Sequence, residues 1–459
     1  ISTTISIFTA VLLFQAIEEL LRLVVPPAHA HPVMWIFVDL FFLLMWFVLL
    51  SLTLASVSGA NFEGGTVDLS QEVWIVADTM RDDYDTQIAE ENVRQPIGKK
   101  SVAMIGGLEV FVRKGKLLRE RREQKMRCWA TLLAHMTGFA AISLGTHMQH
   151  FPVFTMNPFM TVVVVLMNQL LFTGLFRIAK EIRKRTEALD GIIDERDKLY
   201  EEYTEEAEID AASLSVSFLA TQAMRYWLTG SQPNEKGEEF PEIVHSWGSI
   251  LSLYGAGLML GIAAIVVPLV VVPPSASKHD KLRRFVDTLQ NQGLMTCAWC
   301  IFFATQYWAV RSQVLEPVGG PHSMGGRVVL ALGLSLCAFL AIFGLDKIED
   351  TAKASQRDMR SVHRLVKSLV NALGILVGFS WEVSFEGANS AVASLHERRA
   401  YIVKVVLAAA VSSVIIPAWR KFVLEKVMLY KRLYEEDRDA RHDASWRGNA
   451  YQQLEHAET

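Results

Sequence analysis

The sequence predicts an all-α fold: a polytopic transmembrane bundle of ten helices arranged as five hairpin repeats, with helical cytoplasmic linkers. Three observations indicate this class. The chain has 459 residues, 51% of them hydrophobic, and ten apolar stretches reach the roughly 20 residues that a spanning helix needs. These stretches are continuous, whereas the strands of a membrane barrel are short and alternate apolar with polar residues. A five-residue string also recurs in five of the stretches.

The ten predicted spans follow one another in five pairs. They are residues 2–25, 34–57, 128–150, 153–176, 210–229, 246–272, 287–310, 327–345, 366–386 and 399–418. The predicted hairpins occupy 1–57, 128–176, 210–272, 273–345 and 346–418, the last two with short linkers. We further expect a helical linker at 58–127 (helices near 71–92 and 108–127), a helical extension of the fourth span at 177–209, and a C-terminal helix and tail at 419–459.

Lysine and arginine residues are distributed unevenly between the two ends of the predicted spans. Of 45 such residues, 37 lie in the tail or in and at the edges of the segments after even-numbered spans, and five lie in or at the edges of the loops within hairpins. Basic residues mark cytoplasmic segments. The sequence therefore predicts cytoplasmic termini and linkers, non-cytoplasmic hairpin loops, and the plasma membrane as the default location. Because the chain begins with Ile1 rather than Met, we expect a start upstream or a removed leader.

The recurring string consists of an aromatic residue, any residue, a small residue, any residue and a polar residue. Its copies begin at Phe14, Phe139, Phe218 and Phe302, and a variant copy begins at Gly378. The polar residues that end the five copies are Glu18, Ser143, Gln222, Gln306 and Glu382. Polar side chains cost free energy in a bilayer, so five at matched depth indicate a shared role. This pattern predicts parallel internal repeats.

Further polar residues follow these positions by about one helical turn. They are Arg22, His147, Arg225 and Glu386. Residues four apart share a helix face, so Glu18 can pair with Arg22, and Glu382 and Glu386 bring two like charges together. Two such carboxylates should not both ionise near neutrality, which makes them the candidate site for a proton or cation. The alternative is that the polar residues only form interhelical hydrogen bonds.

Two charged residues lie alone in apolar surroundings, Asp39 in the second span and Lys404 in the tenth. We expect them to belong to the same polar cavity or to pair with each other if the two helices meet. The alternative for Lys404 is that its long side chain reaches the nearby interface.

Histidine and cysteine residues indicate no cofactor. His135, His147 and His150 lack a metal-ligand spacing, and Cys297 and Cys300 lack a soluble redox fold around them, so both sets are interpreted as packing or interface residues. There is no Walker A loop, no nucleophile elbow and no dinucleotide fingerprint. The sequence therefore predicts no catalytic residue, no cofactor and no metal, and we do not expect an enzyme.

The leading functional hypothesis is transport of an ion, proton or cation, or of a small solute, through a cavity lined by the odd-numbered helices. The alternatives are a non-transporting subunit or scaffold of a larger membrane complex, and a receptor or sensor. The predicted partners are the lipid bilayer and a second copy or other membrane subunits, bound through 177–209 and the C-terminal tail; nucleic acid is not expected. Transport predicts a hydrated cavity at Glu18, Glu382 and Glu386, whereas a scaffold predicts dry packing there.

Overall fold

The computed structural model describes residues 2–24, 32–59, 99–190, 195–234, 237–239, 243–271, 280–354, 359–395 and 400–430. Within these residues the regular structure is entirely helical. The ten long helices are α1 (Ser2–Val24), α2 (Pro32–Ser58), α3 (Lys99–Gln149), α4 (Pro158–Asp190), α5 (Glu195–Thr229), α6 (Trp247–Val271), α7 (Asp280–Ser312), α8 (Met324–Ala354), α9 (Met359–Ser394) and α10 (Ala400–Ala418). One helical turn at Pro152–Thr155 precedes α4, and a 3₁₀ turn at Glu316–Val318 precedes α8.

The chain divides into two compact units. The larger holds Ile1, Thr3–Gly65 and Trp129–Ile415, and the smaller holds Ser2, Thr66–Cys128 and Ile416–Thr459. In the smaller unit, α10 gives way to a π-helix at Trp419–Leu424, just after Pro417, whose missing N–H removes a helical hydrogen bond. Trp419 and Leu424 are buried there, and Gln124 donates to the carbonyl of Arg420 at 2.5 Å.

Nine of the helices in the described part of the chain are long and apolar enough to cross a membrane. The chain is therefore an integral membrane protein with several spans, and the prediction of ten spans is not confirmed. The exception is α5, which contains the predicted span 210–229 but is not apolar enough to be among the nine. Its first half is charged, and its second half is rich in serine.

The enclosure of α5 explains its low hydrophobicity. Every residue from 211 to 219 is buried, because α5 packs against α2, α4, α6 and α7 and also touches α3, where Gly138 and Gly145 leave room for Leu214 and Leu219. A helix that is surrounded by protein does not need a lipid-facing apolar side. Small residues along it let its neighbours approach closely.

The even-numbered helices carry most of the exposed apolar surface. Large apolar side chains are exposed along α2, α4, α6 and α8, including Phe37, Leu166, Leu258 and Phe339. Only 17% of the α8 span is buried, compared with 61% of the α7 span. Such continuous apolar surface on a soluble protein would be an interaction site or an aggregation hazard. On these helices it fits contact with lipid.

The two cysteines of α7 fit against glycines of α6. A Cβ atom added at Gly257 would approach Cys300 Cβ to 2.6 Å, and one added at Gly261 would approach Cys297 Sγ to 2.9 Å. Close approach of two helices through small residues is common in membranes. The described residues around this pair agree with the packing interpretation of Cys297 and Cys300.

The predicted cytoplasmic helices are only partly within the described residues. The predicted helix at 71–92 lies outside them, and the one at 108–127 is the first part of α3. The segment 177–209 is not a single extension of the fourth span, which corrects that expectation. It is divided between the end of α4 and the start of α5, which Lys180 and Glu205 join by an ion pair at 2.7 Å.

Candidate functional site

A cavity of about 750 Å³ lies between the odd-numbered helices of the larger unit. Residues of α1, α3, α5, α7 and α9 line it, together with residues of the loops that follow α3, α5 and α7. Among the even-numbered helices only α8 reaches it, through Arg327. The volume is in the range of pockets that hold small organic ligands.

The inner end of the cavity is aromatic. We call this end the aromatic floor; its residues are Phe14, Phe139, Phe218, Trp299, Phe302 and Phe303. Trp299 stacks on Phe379 with ring centroids 3.5 Å apart, and Phe218 meets Trp299 edge-on at 4.9 Å. Ile7, Leu214 and Leu376 belong to the same buried apolar cluster. The cavity is therefore closed at this end by packed side chains.

The outer end of the cavity is polar, because along α1, α3, α5 and α7 polar lining residues follow the aromatic ones. On α1 the lining runs from Phe14 to Glu18, and on α7 it runs from Trp299 to Gln306 and Tyr307. The loop residues that line the cavity follow the ends of these helices. The cavity therefore has an apolar inner end, lined by the earlier residues of these helices, and a charged mouth, lined by their later residues and the loops.

Arg225 is the centre of the polar groups at the mouth. The residue is 1% exposed, and its guanidinium donates to Tyr307 Oη at 2.8 Å, to Gln222 Oε1 at 2.9 Å and to the Gly237 carbonyl at 2.7 Å. It also pairs with Glu239 at 3.2 Å and lies 3.9 Å from the centroid of the Phe303 ring. These contacts compensate for the removal of the charge from water.

Glu239 joins the loop after α5 to the helices. Its carboxylate accepts a hydrogen bond from the Tyr307 hydroxyl and contacts His245 Nε2 at 2.5 Å. Burial alone raises the pKa of Glu239, but the hydrogen bond from His245, the charge of Arg225 and the hydrogen bond from Tyr307 together hold it below its ordinary value. Glu239 is therefore a carboxylate at neutral pH. We call Gln222, Arg225, Glu239, His245 and Tyr307 the mouth cluster.

Gly237 allows the loop to approach Arg225. Its φ of +79° is in the left-handed region, and a Cβ atom at this position would lie 2.4 Å from Gln222 Nε2 and 3.1 Å from Phe218. Glycine adopts this conformation without steric cost. The amide of Gly237 also donates to the Asn234 carbonyl at 2.8 Å.

The opposite side of the mouth is acidic. We call Glu18 of α1 and Glu382 and Glu386 of α9 the acidic wall; all three line the cavity and are half-buried. Gln15 Nε2 donates to Glu382 Oε1 at 3.4 Å, which ties the two helices together. A narrow side pocket between α1, α9 and α10 continues from Glu18 and Glu386 towards Lys404.

A third side of the mouth carries His147 of α3 and His150, which directly follows that helix. His147 Nδ1 contacts Asp39 of α2 at 2.5 Å. Both ring nitrogens of His150 lie 2.8 Å from carbonyl oxygens, those of Thr146 and Pro233. His150 thereby fastens the loop after α5 to the end of α3.

Seven of the eleven predicted site residues line the cavity: Glu18, Ser143, His147, Arg225, Gln306, Glu382 and Glu386. Gln222 lies behind Arg225, which it contacts. Asp39 and Lys404, for which a shared cavity or a mutual pair were the two expectations, have separate partners: Asp39 contacts His147, and Lys404 pairs with Glu19 at 2.7 Å. The side chain of Arg22 lies outside the described residues, as does its expected pairing with Glu18.

Sequence reasoning missed four residues of the site: Glu239, His245, Tyr307 and Trp299. Glu239 and His245 lie in a loop, where no periodicity marks them. Tyr307 directly follows the predicted Gln306, but the string ends one residue before it. The sequence offered one signal for Glu239: it lies in the string Gly237-Glu238-Glu239, which follows an apolar segment that contains Arg225.

A second buried ion-pair cluster lies far along α5 from the mouth. Glu208, which is fully buried, accepts from Arg183 of α4 at 2.7 Å and from Arg284 of α7 at 2.9 Å. Arg284 also contacts Glu205. None of these residues lines the cavity. This cluster joins three helices by direct ion pairs.

Within the described residues no group of three or more His, Cys, Asp or Glu side chains is arranged to hold a metal ion. Comparisons of the chain with protein-family models, with curated proteins and with solved structures find no match.

Proposed function

We propose that this chain is a transport protein that binds a small solute in the cavity between its odd-numbered helices and moves it across the membrane. The observation that carries the proposal is the cavity itself: about 750 Å³, aromatic at its inner end and charged at its mouth. A scaffold would pack its polar residues against one another, as the Glu208 cluster does. The space at Glu18, Glu382 and Glu386 favours a ligand instead.

The depth of the cavity supports transport. In α7 the lining residues run from Trp299 to Val310, which is the second half of the span Arg284–Ser312. Substrate sites of secondary transporters lie near the middle of the bilayer. A cavity that opens at one end and is closed near mid-membrane is the form that such a protein takes in one of its two access states. The same form supports a receptor as the second candidate.

The size of the cavity distinguishes a solute from a bare ion. A dehydrated ion needs a shell of a few ligands about 2–2.6 Å away, whereas this space holds a molecule of drug-like size. We therefore propose a small organic solute as the transported species, with an ion at most as a companion.

The proposal extends to the finer architecture. We propose that α5 is a tenth span, that the five hairpins are parallel repeats, and that the cavity opens to the non-cytoplasmic side. Labelling of single cysteines in intact cells tests the orientation: Ser231→Cys should react with an impermeant reagent, and Ser277→Cys should not. Reaction of Ser277→Cys from outside would reverse the proposed orientation.

A cavity-filling variant tests the function. Small solutes are screened for those that raise the melting temperature of the purified protein in detergent. The solutes with the largest shifts are then tested for uptake into proteoliposomes that contain the protein. Ser143→Trp places an indole in the cavity, and Ser413→Trp places one on the exposed side of α10 as the matched control. We expect binding and uptake by the wild type and Ser413→Trp but not by Ser143→Trp. Binding without uptake would establish the receptor instead, and equal binding by both variants would reject the cavity as the site.

A further inference from the structure

We propose that the segment after α10 and the part of α3 beside it form a binding surface for the headgroups of anionic phospholipids. Both segments belong to the smaller unit, and none of their residues lines the cavity, so the role of this surface does not depend on what the cavity binds. Gln124 of α3 donates to the carbonyl of Arg420 at 2.5 Å, and the charge of Arg420 acts on the thiol of Cys128, one turn further along α3. The two segments therefore lie side by side.

The two segments carry an excess of positive charge. Their described residues, 121–128 and 416–430, include seven basic side chains and two acidic ones, Glu123 and Glu425. Arg121 and Lys125 are four residues apart and share one face of α3. Five of the basic residues are exposed, and we call them the basic patch: Arg121, Lys125, Arg420, Lys421 and Lys426. Even with both glutamates counted, the surface is basic and attracts anionic headgroups.

The length of α10 places this surface at the level of the lipid headgroups. The helix has 19 residues and is about 28 Å long at the helical rise of about 1.5 Å per residue. This length nearly equals the thickness of the hydrocarbon core, about 30 Å. Arg420 and Lys421 follow in the π-helix, directly after this apolar stretch. The chain therefore becomes basic where a bilayer changes from acyl chains to phosphates.

Exposed aromatic side chains accompany the charges. Phe422 is 62% exposed and Tyr430 is 69% exposed, whereas Trp419 and Leu424 of the same segment are buried. The Nζ atom of Lys421 lies 5.5 Å from the centre of the Phe422 ring. A helical segment with one packed face and one face of basic and aromatic residues is typical of the membrane interface. A free phosphate would use only the charges of this surface, whereas a phospholipid contacts both the charges and the rings.

Matched lipids test the inference on the whole protein. The purified chain in detergent is titrated with phosphatidylglycerol, with phosphatidylcholine of the same acyl chains, and with inorganic phosphate. Binding is measured by the shift in melting temperature and by the lipid retained in native mass spectrometry. We expect phosphatidylglycerol to bind at least tenfold more tightly than the other two, and we expect added salt to weaken its binding because salt screens exposed charges. Equal binding of the two lipids, or equal binding of phosphate, would overturn the inference.

Substitutions then locate the headgroup. The double variant Lys421→Gln/Lys426→Gln should weaken phosphatidylglycerol binding roughly tenfold, because each basic side chain near an anionic surface strengthens binding severalfold. Arg177→Gln/Lys184→Gln is the matched control: it removes two exposed positive charges at the end of the α4 span and should change binding less than twofold. Glu425→Lys, at an exposed position within the surface, should tighten binding. Equal losses in the two double variants would show that the total charge of the chain attracts the lipid, and the assigned surface would then be wrong.

The exposed ring of Phe422 distinguishes a lipid from other anions. Phe422→Gln should weaken phosphatidylglycerol binding while the response to salt is kept, and unchanged binding would contradict the lipid assignment. A polyglutamate peptide that binds as tightly as phosphatidylglycerol would assign the surface to an acidic protein segment instead. Ser143→Trp should leave lipid binding unchanged, because Ser143 lines the cavity of the larger unit. The lipid surface and the transport proposal can therefore fail independently of each other.

Discussion

The odd-numbered and even-numbered helices of the larger unit differ in what they do with polar residues. The inner helices, α1, α3, α5, α7 and α9, line the cavity and hold its carboxylates, its glutamines and Arg225. The outer helices, α2, α4, α6, α8 and α10, hold most of the exposed large apolar side chains. Hydrophobicity along these helices therefore follows exposure rather than membership of the bundle, since α5 is enclosed by its neighbours and, among the described long helices, is the one that is not apolar enough to cross a membrane by itself.

The same contrast exists within one outer helix. On α6, a Cβ atom at Gly257 would meet Cys300 of α7, whereas one at Gly255 would meet no atom within 4 Å. The face of α6 that contains Gly257 is therefore packed against α7, whereas the face that contains Gly255 has open space beside it.

Removal of Arg225 should have the largest effect. Arg225→Ala leaves Glu239 buried without its main positive partner, and loss of one partner of a buried ion pair costs about 3–5 kcal/mol. Unfolding in detergent micelles measures the change. Arg177→Ala, an exposed arginine of α4, is the control and should change stability by about 0.5 kcal/mol or less. Equal effects of the two substitutions would contradict the distinction between inner and outer helices.

Neutralising Glu239 should have a smaller, pH-dependent effect. At neutral pH Glu239→Gln weakens hydrogen bonds to a charged group, worth about 1.5–3 kcal/mol. The folded pKa of Glu239 lies below its ordinary value of 4.5, so its stabilisation is complete above pH 4.5 and is lost as the pH falls through the folded pKa. Melting temperatures of wild type and variant should therefore converge on acidification from pH 6 to pH 3. A constant difference across that range would show that the charge of Glu239 is not what stabilises the loop.

Adding a methyl group should separate the two faces of α6. Gly257→Ala forces Cys300 to move, and overpacking of this kind costs about 1–3 kcal/mol. Gly255→Ala makes the same chemical change two residues away without a contact, so the difference between the two variants measures packing alone. Thermal unfolding of both in the same detergent is the test. Matching melting temperatures would indicate that α6 and α7 are not in close contact at Gly257.

Much of the site could be predicted, because a polar residue in a membrane-spanning segment costs free energy and therefore indicates a functional position. Glu18, Ser143, Gln306, Glu382 and Arg225 are conspicuous in apolar segments, and the chain brings them to one cavity. The fivefold string that led to them remains a prediction, because a shared cavity does not establish a repeat. The all-helical fold follows from the same cause, since backbone polar groups in lipid must be satisfied within each segment.

The parts that could not be predicted depend on pairing between distant segments. Asp39 and Lys404 were both conspicuous, but periodicity does not say that their partners are His147 and Glu19. Glu239 lies in a loop, where acidic residues are ordinary, and only its contact with Arg225 gives it a role. The segment 177–209 has few strong breakers, so its division between α4 and α5 was not visible in composition.

The smallest effect is expected on the lipid-facing side of α8. Gly333 and Gly344 are exposed helical glycines with no atom within 4 Å of an added Cβ. Substitution by alanine in a helix interior gains about 0.5–1 kcal/mol, because alanine loses less backbone entropy than glycine on folding. Gly333→Ala and Gly344→Ala should therefore each raise the melting temperature slightly, and the double variant should show the sum because the two positions are far apart. Neither should change solute binding, since α8 reaches the cavity only at Arg327. A loss of stability at either position would mean that this face of α8 is covered by protein, which would remove α8 from the outer helices and with it the simple division of the bundle by odd and even numbers.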